Sequence, residues 1–370
     1  MLQTLPLVLF VIMAEVSIGA VSVLVFLDWR NEVKRGFLVS YALIYLVLAG
    51  LTYWFQSDFA TPSLLNTFPL LDKGWTVHLS LPLLLFFVLL AFYSFFLLLD
   101  KHAGIAEPAT VAPAAVAVET YATVPETSTT EADAEVVSAE IPSSTSDAAS
   151  AGVSHEEPAV RRGSTLRVLR LASGVVTVIA GLLTLLVIAM IFRPLAPTNL
   201  GGVFTVAGFF AAAFALGGVL TAMWLGHWYL VTPALSERPL QFSTTLVLVA
   251  VAAQVILFIA TGTHSTSANH TTPSNVPAVT ATATVKSSDP NLNNSVRPGN
   301  APVVAPISAA GIGWLHILVG FVMPLVLGGL AWKLIRERSF QSATGMLYLV
   351  VVCTLAGEII ARGLFLSGLS

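Results

Sequence analysis

The sequence predicts an all-α integral membrane protein: a bundle of eight transmembrane helices with two long low-complexity loops. Three observations carry this. Of 370 residues, 56% are hydrophobic and only 10% charged, whereas charged residues make up about a quarter of an ordinary soluble domain. Mean hydropathy is +0.84. Eight stretches nearly free of Asp, Glu, Lys and Arg reach the roughly 20 apolar residues a helix needs to cross a hydrocarbon core about 30 Å thick. A strand barrel would show short alternating segments instead. A soluble enzyme is excluded by the same composition.

In chain order the predicted spans are Leu5–Leu27, Phe37–Phe55, Leu79–Leu99, Leu166–Phe192, Val203–Leu225, Phe242–Thr261, Ile312–Leu334 and Ala343–Phe365. Met1-Leu2-Gln3-Thr4 has no basic n-region and the following apolar stretch exceeds the usual h-region, so the first span is expected to remain in the mature protein. Twelve of the 17 basic residues fall to one side, in alternate loops and the adjoining helix ends, among them Arg30, Lys34, Arg35, Lys101, Arg167, Arg170, Arg238 and Arg336, and five to the other. Because basic loops stay cytoplasmic, both termini are expected outside.

The spans group as residues 1–100 (helices one to three), 165–261 (four to six) and 309–370 (seven and eight). Between them, residues 101–164 are rich in Ala, Pro, Ser, Thr and Glu without helical period, which reads as a disordered acidic cytoplasmic linker. Its run Glu131, Asp133, Glu135, Glu140 reads as a solvating tether more readily than as a site for a basic partner. Residues 262–308, polar and full of Thr, Asn, Ser and Pro, read as an external loop, in which Asn269-His270-Thr271 matches a glycosylation sequon. Small residues Gly208, Ala211, Ala212, Ala215 and Gly218 predict a close helix contact in span five. Pro82 and Pro324 predict local kinks.

A lone cysteine, Cys353, gives neither a disulfide framework nor a CxxC knuckle, and without CxxCH there is no covalent haem; no metal site is indicated. Net charge of −3 and pI of about 6.2 make nucleic acid an improbable partner.

Ionisable groups within spans are costly, about 2.5 to 3.5 kcal/mol each on insertion scales, so each asks for a partner or a use. Glu15 lies mid-span in helix one with no basic residue three or four positions away, so its partner must come from another helix. Glu358 and Arg362, four apart in helix eight, share a face in the favourable acid-before-base order, and a salt bridge is the plainer reading of the pair. His316 lies in helix seven, and His78 at the start of helix three. By depth, His78, His316, Glu358, Arg362 and Glu15 could line one cavity in the outer half, where a quinone head group would find hydrogen bonds and proton carriers. Ligation of b haem by His78 and His316 is the disfavoured use. His227, Trp228 and Tyr229 read as interfacial anchors of helix five.

Two stretches carry a resemblance. Gln341-Ser342-Ala343-Thr344-Gly345 running into Gly357-Glu358-Ile359-Ile360-Ala361-Arg362 resembles the last helix of the dimethyl sulfoxide reductase membrane-anchor family, and Leu5-Pro6-Leu7-Val8-Leu9-Phe10 followed by Glu15 and Gly19 is similar to its first. The family is related to polysulfide-reductase-type quinol-binding anchors. The resemblance implies an eight-helix anchor of the bacterial inner membrane with periplasmic termini. It also implies bound quinol, menaquinol being expected, and electrons passed to an iron–sulfur partner subunit alongside a molybdenum catalytic subunit. Unlike compact anchors, this chain carries two long insertions.

The expected function is therefore quinol binding and oxidation within a respiratory oxidoreductase, the chain alone having no turnover. Two rivals stay open: a small-solute transporter, against which the lack of a repeat between the two halves counts, and a structural or assembly subunit.

Overall fold

The computed structural model describes residues 5–101, 103, 160–196, 198–232, 236–268 and 309–367. The acidic run at 131–140 and the sequon at 269–271 lie outside them. Among the described residues there is no β-strand, and eight helices are long and apolar enough to cross a membrane. They are α1 (Leu5–Arg30), α2 (Arg35–Phe59), α3 (Ser80–Leu99), α4 (Val160–Phe192), α5 (Asn199–Val231), α6 (Arg238–Ala268), α7 and α8 (Phe340–Leu366). Helix α7 is composite: an α-helical start, Ala309–His316, a π-helical stretch, Ile317–Val322, and a second α-helical part, Met323–Arg336. The protein is an all-α, multi-pass membrane bundle.

Each predicted span falls on one of these helices, the third starting one residue early at Leu79, the N-cap of α3, and most helices run past the hydrophobic stretch. Helix α6 continues to Ala268, into the segment read as external loop, and α4 starts at Val160, inside the segment read as linker. Both extensions follow from local helix continuation, since the backbone ladder need not stop where hydrophobicity does.

Helix α1 occupies the centre, with α2, α4, α5 and α8 around it. Its apolar residues have no preferred side, as expected of a helix covered all round, and 17 of its 26 residues are buried. Helices α2 to α4 form one flank and α6 to α8 the other, joined through α1 and α5. The perimeter exposes large apolar side chains such as Val47 at 72%, Leu81 at 73% and Val249 at 61%, a surface that only hydrocarbon would cover favourably.

Two glycine crossings fix the interior. At Gly19 of α1 a Cβ would stand 1.8 Å from the Ala213 carbonyl oxygen of α5, and one at Gly217 would stand 2.1 Å from the Gly19 carbonyl carbon. At Gly357 of α8 a Cβ would stand 2.3 Å from the Gly320 Cα of α7. Backbones this close exclude any side chain. The predicted small-residue run is used differently from a single stripe: Gly218 packs on Val247 and Leu246 of α6, while a Cβ at Gly208 would meet nothing.

Pro324 sits at the start of the second part of α7, immediately after the π-helical stretch. Its ring would collide with the carbonyl four residues back in a regular helix, and the wider turn relieves that clash. Pro82 stands in the first turn of α3, where its missing N–H is not required by the ladder; the kink expected there has no need to form.

Candidate functional site

The chain ends and the even-numbered connections between helices share one end of the bundle, here the terminal end. Toward that end, a cavity of about 280 Å³ lies between α5, α6, α7 and α8. Its polar wall includes Gln254, His316, Glu358 and Arg362, with Thr205 and Thr261, and its apolar wall includes Phe258, Phe321 and Phe365.

The two crossings explain why these groups meet. Glu358 follows Gly357 directly, and His316 precedes Gly320 by four residues. The α7–α8 contact therefore holds both within about one turn of the same depth. The His316 ring lies over Gly320, where a Cβ would be 3.1 Å from its Cδ2, so a side chain at 320 would push the imidazole away. Phe321 and Phe258 hold that ring edgewise at centroid distances of 4.7 and 5.7 Å. Glu15 stands four residues before Gly19, so the α1–α5 crossing sets it behind the cavity wall. There Arg362 donates to Glu15 Oε1.

Arg362 is the hub. Its guanidinium pairs with Glu15, lies 3.9 Å from Glu358 Oε2 through Nε, and sits 3.9 Å from the centre of the Phe209 ring. Such a cation over an aromatic face is stabilised by the ring quadrupole, more so when water is excluded. Gln254 donates through Nε2 to Glu358 Oε1. Glu15 is fully buried, and its Oε2, like Arg362 Nε, has no hydrogen-bond partner among the described residues. Buried polar atoms are almost always satisfied, so these two leave hydrogen-bonding capacity open within the cluster. Two carboxyl groups against one guanidinium leave room for one exchangeable proton without an isolated charge.

Four of the five predicted residues thus come together: Glu15, His316, Glu358 and Arg362. The fifth stays apart. His78 is exposed in the turn before α3, against Trp75 at 6.3 Å between ring centroids, and lines no part of the cavity. The segment before α3 folds into two short helical turns, Pro62–Leu65 and Lys73–Thr76, and His78 falls between the second of these and α3. His78 and His316 are therefore not brought together.

The three residues read as interfacial also separate. His227 is exposed, Trp228 packs edge-on to Phe37 of α2 at 6.0 Å, and Tyr229 is buried against Phe340 of α8 at 5.1 Å, donating its hydroxyl to the Ser236 carbonyl. Tyr229 is a packing residue rather than an interfacial one. Sequence reasoning missed Gln254. The available signal was its being the one amide in the apolar span Phe242–Thr261.

A second buried charge cluster lies at the opposite end. Arg170 of α4, 1% exposed, bridges Asp28 of α1 at 3.1 Å and Asp100, which follows α3, at 2.8 Å. Tyr93 donates to Asp28 Oδ2 at 3.1 Å, and Arg35 donates to the Asp100 and Leu98 carbonyls. None of these residues lines a cavity described here.

Comparison with protein-family models, with curated proteins and with solved structures gives no match.

Proposed function

We propose that this chain is the quinol-binding membrane subunit of a respiratory oxidoreductase. The observation that carries the reading is the convergence of imidazole, carboxyl, amide and guanidinium groups on one cavity within the bilayer depth of the bundle. Phe258, 46% exposed, stands at its lipid side, so a lipid-soluble molecule could enter without leaving the membrane. The volume equals that of roughly nine liquid waters at ~30 Å³ each, enough for an aromatic head group but not for its isoprenoid tail.

In this reading the head group stacks among Phe258, Phe321 and Phe365. Its hydroxyls hydrogen-bond to His316 on one side and to the Gln254–Glu358 pair on the other. Oxidation of a quinol releases two electrons and two protons. His316 and Glu358 take the protons, and Arg362 with Glu15 holds the charge balance as they pass. The electrons leave to an iron–sulfur subunit docked at the terminal end, beside a molybdenum subunit that performs the substrate chemistry. The membrane is then a bacterial inner membrane with both chain ends periplasmic, and the natural quinol is menaquinol.

The test uses the full-length chain, purified in mild detergent and assayed for retained quinone and for binding of a fluorescent quinol-site inhibitor. His316→Gln is expected to weaken inhibitor binding at least tenfold and to slow menaquinol oxidation by membranes carrying it. Absence of both quinone and inhibitor binding, with menaquinol oxidation unchanged by the substitution, would contradict the proposal.

A further inference from the structure

A second cavity, of about 340 Å³, shares no lining residue with the polar one and has a different character. It is a groove between α1, α4 and α6, floored by Phe214 of α5, with almost wholly apolar walls. Trp29, Val175 and Ile179 flank it and are 64%, 51% and 52% exposed, so the groove opens sideways onto the surface that hydrocarbon covers. Phe26 and Phe242 stack at 4.5 Å and close one side.

Register places cations at a single end of this groove. Arg30 directly follows Trp29, and its guanidinium lies over the Phe26 ring at 5.8 Å. Arg238 precedes Phe242 by one helical turn on α6. Arg167 precedes Val175 by two turns on α4, through Leu171 on the same side. All three helices present these arginines at the end of the bundle away from the chain termini. Glu32 pairs with Arg30 at 2.7 Å, while Glu237 lies 3.7 Å from Arg338. Arg167 and Arg238 are both exposed. An apolar slot with arginines only at its headgroup end matches a lipid bearing a negative head, and clustered basic residues between helices at a membrane surface attract such lipids.

We infer that the α1–α4–α6 groove is a binding site for an anionic phospholipid, one acyl chain lying along Phe26 and Val175 and the phosphate held by Arg167 and Arg238. The site is independent of the quinol reading and lies on another face of the bundle.

Trp29 reports on it directly. A full-length variant keeping Trp29, with the other six tryptophans changed to Phe, is placed in nanodiscs of phosphatidylcholine containing a small fraction of brominated lipid. Brominated phosphatidylglycerol is expected to quench Trp29 at several-fold lower mole fraction than brominated phosphatidylcholine. Arg167→Gln with Arg238→Gln should abolish that preference while leaving emission in unbrominated lipid unchanged. Equal quenching by the two lipids, or a preference that survives the double substitution, would overturn the inference, as would Trp29 shielded from both lipids by a second copy of the chain. Should the single-tryptophan protein not fold, native mass spectrometry of the unmodified chain from a mixed bilayer decides the same point. Retained phosphatidylglycerol lost in the double variant supports the site, and retention unchanged by it refutes the site.

Discussion

Arg170 and Arg362 each face two carboxyl groups inside the same bundle, yet their surroundings differ in one respect that decides what they can do. Arg170 sits between Asp28 and Asp100, with Tyr93 bonded to Asp28 and Arg35 bonded to the Asp100 carbonyl. Arg362 sits between Glu15 and Glu358, but two of those three groups border a cavity that also holds His316 and Gln254. The same inventory is closed in by packing at one end and borders a cavity at the other. A buried ion pair is weak evidence for function by itself, and each cluster holds one carboxylate oxygen and one arginine Nε without a hydrogen-bond partner among the described residues; the adjoining space lined by His316 and Gln254 supplies the distinction.

The comparison breaks most easily at the closed cluster. Arg170→Leu would take from two buried aspartates the arginine that bridges them, and removing one partner of a buried pair costs about 3–5 kcal/mol. We expect the largest loss of stability here, read as a lowered unfolding midpoint in detergent, with α1, α3 and α4 loosened together. A midpoint within error of the unsubstituted protein would mean the cluster does not lock these helices.

Next in size is Gly19→Ala. The added methyl would meet the Ala213 carbonyl, so α1 and α5 must separate, an overpacking effect of about 1–3 kcal/mol. Because Glu15 is carried by the same crossing, quinol binding should weaken as well. Loss of stability with binding intact would show that the crossing does not position Glu15.

At the open cluster, Glu358→Gln should change stability by less than about 1.5 kcal/mol, since an amide can still bond to Gln254 and Arg362 retains Glu15. Quinol oxidation should fall at least tenfold, equivalent to about 1.4 kcal/mol in the barrier. Equal losses at Glu358 and Arg170, in stability alone, would make both clusters locks. The smallest expected effect is that of Tyr93→Phe, which removes one hydrogen bond to Asp28 and should cost about 1 kcal/mol of stability with quinol binding untouched.

Much of the fold was legible because span length and hydropathy are direct consequences of bilayer thickness. The site was legible in part. Glu15 demanded a partner from another helix, and Arg362 supplies it; the spacing of Glu358 and Arg362 predicted their shared face. Gln254 escaped notice because a neutral amide carries no charge that calls for an ionic partner. Arg170 and Asp100 escaped because they sit where hydropathy ends, and loop basic residues are counted for orientation rather than for pairing. His78 misled for the converse reason: a histidine next to an apolar run reads as membrane depth, whereas two short turns before α3 hold it at the surface.

Gly208 offers the most direct test that the open cluster serves a ligand. It lines the cavity, and a Cβ there would touch nothing within 4 Å, so Gly208→Leu would fill the space without disturbing a packed contact. Titration of a menaquinone analogue into full-length protein in nanodiscs should show binding weakened at least tenfold, with the unfolding midpoint unchanged. Binding retained at full strength with the cavity filled would contradict the account.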